Sequence, residues 1–105
     1  MKENKMPWHV RQFVKQELMD YQKNIKLLSD YKGSTRGLLI AERRVKQIQE
    51  GLKQLDAEEM EVVKLIFFEK KTQAQSEINN YITKAQYYYA MNKAIYLCAV
   101  AMDMI

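Results

Sequence analysis

Two carboxamides (Gln86 and Asn92), two phenols (Tyr88 and Tyr89) and two ammonium groups (Lys84 and Lys93) fall within one short stretch of this 105-residue chain. A carboxamide presents an acceptor beside a donor, the pattern an adenine edge matches, while phenols and ammonium groups reach phosphate oxygens. The chemistry these residues suit is recognition of a nucleic acid, not bond breaking. Elsewhere the chain holds no Ser/His/Asp set, no glycine-rich phosphate loop and no paired-carboxylate cleft. One histidine and one cysteine cannot build a structural zinc site. No enzyme activity, catalytic residue, cofactor or metal site is therefore expected. His9, beside Trp8, reads as a packing residue, and Cys98, on an apolar stripe, as a small core residue.

The elements that must position those six residues are marked in the segment Thr72 to Lys93, TQAQSEINNYITKAQYYYAMNK. Thr72 precedes Gln75 by three residues, and Thr83 precedes Gln86 by three. Each pair is a capping-box pattern, in which the threonine hydroxyl takes an orphan N–H of the first turn and the glutamine reaches back to the cap. The spacing limits the first helix to roughly two turns. Asn79-Asn80-Tyr81 tolerates a tight turn, with Ile78 and Ile82 as its apolar pins. A short helix, a turn and a longer helix present a recognition helix to the DNA major groove. Of the run Tyr87-Tyr88-Tyr89, Tyr87 fits the inward seam, which leaves Tyr88 and Tyr89 for a partner.

The rest of the chain also reads as helix. Residues 6–32 predict one long helix with Pro7 in its first turn and a seam of Val14, Leu18, Tyr21, Ile25 and Leu28, stopping near Lys32-Gly33. After a joint at Gly33–Gly37, a second helix over Leu38–Leu55 repeats the spacing with Ala41, Val45, Ile48, Leu52 and Leu55. Matching seams joined by a short loop predict an antiparallel hairpin. Gly51 inside this helix weakens it by about 1 kcal/mol relative to alanine, and close helix packing is the only reason at hand. Asp56 with Glu59 starts a third helix over Ala57–Lys71. The acidic first turn, with Glu58 and Glu61, suits the helix dipole, and Met60, Val63, Ile66 and Phe67 turn inward. In the last helix, Tyr87, Met91, Ala94, Cys98, Ala101 and Ile105 form one stripe. Ile95, Leu97, Val100 and Met102 make the other side apolar as well, so it should be covered twice, by the hairpin or by a second subunit. The expectation is an all-α single domain over residues 1–105 with about five helices: an N-terminal antiparallel hairpin (6–55), then a helix-turn-helix region (56–105).

Net charge is +4, and its placement is uneven. Residues 1–55 hold twelve Lys/Arg against six Asp/Glu, whereas residues 72–105 hold two of each. A basic balance favours a polyanionic partner, but the reading helix itself is nearly neutral. Phosphate contacts are therefore assigned also to Arg43, Arg44, Lys46, Lys70 and Lys71. The apolar run Ala94–Ile105 is far short of the ~20 residues of a membrane span. With no signal-peptide pattern in MKENKMPWHV, a cytoplasmic location is expected.

From Leu55 to about Cys98 the chain resembles region 4 of bacterial sigma factors and, more closely, phage transcriptional regulators of the RinA/ArpU type. The features that carry this are LDAEEMEVVKLIFFEKK as leading helix, TQAQSEINNYI as first motif helix, the Ile82-Thr83 junction and the late Lys93-Ala94-Ile95. The resemblance implies an all-α fold and promoter DNA binding that activates phage genes, with a homodimer and host RNA polymerase as possible company. The reading helix departs from that family in carrying only Lys84 and Lys93 as cations. A second expectation follows from this: a phage-encoded protein-binding inhibitor, such as an anti-CRISPR or RNA-polymerase-binding factor, that reuses the helical scaffold.

Overall fold

Apolar residues at spacings of three and four, with few glycines and a single proline, favour helix throughout. A computed structural model describes residues 6–30 and 36–105, and all regular structure among them is helical. The elements are α1 (Trp8–Met19), α2 (Tyr21–Asp30), α3 (Arg36–Leu52), α4 (Ala57–Val63), continued by a π-helical turn (Lys64–Phe68), α5 (Gln73–Asn80) and α6 (Lys84–Ala101). The expected stop at Lys32-Gly33 and most of the Gly33–Gly37 joint lie outside the described residues.

α6 is the central element, with α1, α3, α4 and α5 all packed on it, while α2 packs on α3. Part of its two-sided apolar character is met within the chain, where α1 and α3 pack on it and Ile95 and Met102 are buried, while Leu97 is half-buried and Val100 exposed. The core gathers Val10, Val14 and Leu18 of α1, Ile48 and Leu52 of α3, and Val63, Ile66 and Phe67. They pack against Tyr87, Ala94, Ile95, Cys98 and Ala99 of α6. Ala101 and Ile105, at the end of the predicted stripe, are half-buried and exposed.

The single helix expected over residues 6–32 is divided at Asp20, whose backbone (φ −92°, ψ −1°) ends α1. Two packing targets explain the break. α1 lies along α6, whereas α2 follows α3, and Tyr21 turns to stack on Phe68 with centroids 5.5 Å apart. The predicted seam accordingly fades, with Val14 and Leu18 buried, Tyr21 and Leu28 half-buried and Ile25 exposed. His9 and Trp8 are also exposed, not packed, because the first turn of α1 points Val10 inward instead.

α3 shows why residue 51 is glycine. A Cβ there would meet Cys98 Cα, N and Sγ at 3.0 Å. α3 and α6 thus approach at backbone distance, and Cys98 Sγ lies 3.9 Å from the Ile48 carbonyl. Burial pushes the Cys98 thiol up to about 12, which suits a core residue and not a nucleophile.

The Asp56–Glu59 capping box forms as expected, with Glu59 N–H donating to Asp56 Oδ1 at 2.7 Å. The regular helix expected to Lys71 does not continue. It widens at Lys64–Phe68, and the Glu69 N–H reaches back to the Lys64 carbonyl at 2.9 Å. Leu65, Ile66 and Phe67 are all buried in sequence, more than one face of an α-helix can enclose, and the wider turn accommodates them.

Candidate nucleic-acid interface

Both threonine capping boxes at the motif are present. Thr72 Oγ1 accepts from Gln75 N–H at 3.2 Å and Thr83 Oγ1 from Gln86 N–H at 3.1 Å. The glutamine oxygens return to Thr72 N–H at 2.9 Å and Thr83 N–H at 2.8 Å. α5 therefore has eight residues and α6 starts at Lys84. Asn79 and Asn80 stay helical, and Tyr81 takes the left-handed conformation (φ 57°) that ends α5. Its N–H and that of Ile82, at 3.3 Å, both reach the Ser76 carbonyl. Ser76 is the face of α5 that packs: it is wholly buried, and its hydroxyl has no hydrogen-bond partner among the described residues. Ile78 therefore points to solvent and does not pin the turn, a role left to half-buried Ile82.

Tyr87 anchors α6 inward. It is buried, and its hydroxyl donates to the Lys71 carbonyl at 3.0 Å. Burial, with Tyr88 beside it, raises its phenol above the ordinary value. That bond sets the main chain at Lys71 beside the first turns of α6, with Lys70 exposed next to it in a left-handed conformation (φ 54°). Lys71 Nζ lies 3.7 Å from Glu69.

The exposed stripe of α6 consists of Lys84, Tyr88 and Asn92 at successive i, i+4 positions, with Tyr89 beside them. Lys84, Tyr88 and Asn92 share that face, and Tyr89 turns from it towards the flank lined by Glu59 and Gln86. Gln86 is exposed on the flank, its oxygen committed to the cap. Lys93 is turned away: its Nζ donates to Glu59 Oε2 at 2.7 Å and Oε1 at 2.9 Å and lies 5.7 Å from the Tyr89 ring centroid. The Lys93 hydrogen bond, then the Asp56 N–H, hold the Glu59 carboxyl below its usual range, and Glu59 in turn raises Lys93. Asp56, Glu58, Glu59, Gln86 and Tyr89 line a pocket of about 220 Å³ on this flank, so one edge of α6 is acidic.

Arg44 is drawn to α1. It lies 5.2 Å over the Phe13 ring and 4.0 Å from Glu17, and donates to Gln47 at 3.0 Å. Arg43 is exposed on α3. The arginine that does reach the α6 stripe is one that sequence reasoning missed. Arg11 of α1 donates to Asn92 Oδ1 at 2.7 Å across 81 residues of chain, and no local spacing signals a pairing over that separation.

Fold and face together define an all-α protein built on a helix-turn-helix whose second helix is half enclosed. In comparison with known proteins, no family model, no curated protein and no solved structure matches the chain. Among the described residues no helix is long and apolar enough to cross a membrane, and no His/Cys/Asp/Glu group is placed to hold a metal ion.

Proposed function

We propose that the chain is a DNA-binding transcriptional regulator of phage or mobile-element type, reading promoter DNA through the first turns of α6. The observation that carries this is the aligned, outward stripe Lys84, Tyr88 and Asn92, with Tyr89, on a helix whose start and entry turn are fixed by capping. The resemblance to RinA/ArpU-type regulators supports the same reading. Asn92 would contact base edges, with Gln86, whose oxygen serves the Thr83 cap, donating only from its amide nitrogen; the tyrosines and Lys84 would reach backbone phosphates, and Lys70 and Lys71 would add flanking contacts. Arg43, exposed on α3, would serve a neighbouring strand segment, whereas Arg44 is held by Phe13, Glu17 and Gln47. A homodimer would use the apolar residues that α2 and α3 leave outside the core (Ile25, Leu27, Leu39 and Ile40), and host RNA polymerase would be the second partner of an activator in the cytoplasm.

Fluorescence anisotropy of the protein with a random duplex pool at 50 and 200 mM salt tests the reading. Neutralising about four phosphates weakens binding on the order of a hundredfold over that range. Replacing Asn92 with alanine reduces base preference by about 1–3 kcal/mol. Absent or salt-insensitive binding would sink the assignment.

A second reading has its own observation. The acidic, tyrosine-lined pocket and the pairing of Lys93 with Glu59 favour a protein partner on that flank. Under this reading the chain is a helical protein-binding inhibitor, and binding to its protein partner changes little with salt.

A further inference from the structure

The bond between Arg11 and Asn92 joins the first turns of α1 to the exposed stripe of α6, with Nη2 donating to Oδ1 at 2.7 Å. A guanidinium carries only donors, so only the oxygen of the carboxamide can face it. The amide is thereby held in one of its two orientations, with Nδ2 on the opposite side. A carboxamide oxygen has two acceptor sites, so Oδ1 retains one after meeting Arg11, and both Nδ2 hydrogens remain for a partner outside the protein. That is the set an adenine edge requires in the major groove: its N6 amino group donates to the oxygen, and its N7 accepts from the nitrogen. An exposed asparagine without such a contact samples both orientations and must lose that freedom on binding, at a cost in affinity for the matching base.

Resting on the DNA-binding reading above, we propose that Arg11 is a positioning residue for base recognition. It holds the Asn92 amide in the orientation that reads adenine and brings to the neutral face of α6 a cation from the other end of the chain. Trp8 precedes Arg11 by three residues and Lys15 follows it by four, so both lie on the same side of α1. Trp8 is 74% exposed there. The side of α1 from which Arg11 reaches Asn92 is thus aromatic and basic. Its position offsets the shortage of charge on α6, where Lys84 is exposed and Lys93 is bound to Glu59.

The test is a comparison of base preference with overall affinity. After selection of the preferred site, binding is measured to that duplex and to duplexes with each adenine replaced in turn, for wild type, Arg11→Ala, Arg11→Lys, Asn92→Ala and Arg11→Ala/Asn92→Ala. Thermal melts confirm that each variant is folded. Asn92→Ala is expected to lower discrimination at one adenine by about tenfold, Arg11→Ala to lower it at the same adenine by about two- to threefold, the freedom a two-orientation amide regains, and the double variant loses no more than Asn92→Ala alone. Arg11→Lys keeps most of the affinity and part of the discrimination, because an ammonium also carries only donors and selects the same amide orientation, but without the rigid planar fork of a guanidinium. In the free protein, the Asn92 side-chain amide becomes more mobile by NMR relaxation in Arg11→Ala. If both Arg11 variants weaken all duplexes equally and leave preference intact, Arg11 is a phosphate contact and the proposal is overturned. Additive losses in the double variant overturn it as well. Wild type that shows no salt-sensitive DNA binding removes the DNA-binding reading itself, a result distinct from binding with unchanged preference.

Discussion

The two halves of α6 form one helix, but the first carries Lys84, Gln86, Asn92 and Lys93 while the second is apolar, and their surroundings differ accordingly. From Lys84 to Lys93, one side is held by Tyr87, Ala90 and Met91 while Lys84, Tyr88, Tyr89 and Asn92 face solvent. From Ala94 onward the helix is mostly enclosed, with Ala94, Ile95, Cys98 and Ala99 wholly buried, Tyr96, Leu97 and Ala101 half-buried and only Val100 exposed among its residues. A single continuous helix thus serves as core at one end and as presentation surface at the other. Rigidity follows from this: the enclosed half fixes the axis along which the exposed stripe is displayed, so side chains meet a partner with little backbone left to order.

The difference can be broken most strongly at the enclosed end. Ile95→Ala should cost about 2–5 kcal/mol, since the cavity is surrounded by packed helices that relax little. Urea melts would measure it, and a loss under 1 kcal/mol would mean that this half is less tightly enclosed than described. Gly51→Ala comes next. Alanine gains about 1 kcal/mol of helix propensity, but its Cβ meets the Cys98 main chain at 3.0 Å. Overpacking of this kind costs about 1–3 kcal/mol, so a net loss in thermal stability is expected, and a net gain would show that the α3–α6 approach can widen.

At the junction between the halves and their neighbours, effects become smaller and change sign. Tyr81 is 91% exposed in a left-handed conformation, which disfavours a side chain with Cβ by about 1–2 kcal/mol. Tyr81→Gly should therefore raise stability by roughly 0.5–1 kcal/mol after glycine's own entropy loss. No gain would mean that the tyrosine ring holds the turn.

The Glu59–Lys93 pair tests the boundary by pH. Glu59 titrates below its ordinary value of 4.5. Its contribution is therefore present above that value and lost as pH falls through the lower, folded one. Lys93 titrates above its ordinary value of 10.5, so its share is present below that and lost as pH rises through the folded value. Glu59→Gln should cost no more than about 1 kcal/mol at neutral pH, as for a partly exposed pair, and should flatten the acid limb of the stability profile. Under the proposed DNA-binding function it should also strengthen binding, because it removes an anion beside α6 and loosens the hold on the Lys93 ammonium. Smallest of all, Tyr88→Ala should leave stability within about 0.5 kcal/mol while weakening partner binding. A large loss of stability would place Tyr88 in the core.

Much of the helical layout was written locally. Thr72/Gln75, Thr83/Gln86 and Asp56/Glu59 each satisfy their own helix starts within four residues, so capping boxes and first turns are legible without any knowledge of the fold. The inward seams of α3 and of the first half of α6 were legible for the same reason, since helical periodicity alone aligns them. What sequence could not decide was which neighbours those faces meet. The break at Asp20, the π-helical turn at Lys64–Phe68 and the exposure of Ile78 follow from packing targets supplied by distant segments. The candidate site divides the same way. Side-chain type and spacing put Lys84, Tyr88 and Asn92 on one stripe. Only tertiary structure turned Lys93 to Glu59 and brought Arg11 to Asn92, because a contact between helices far apart in sequence depends on their relative placement and leaves no periodic mark in the chain.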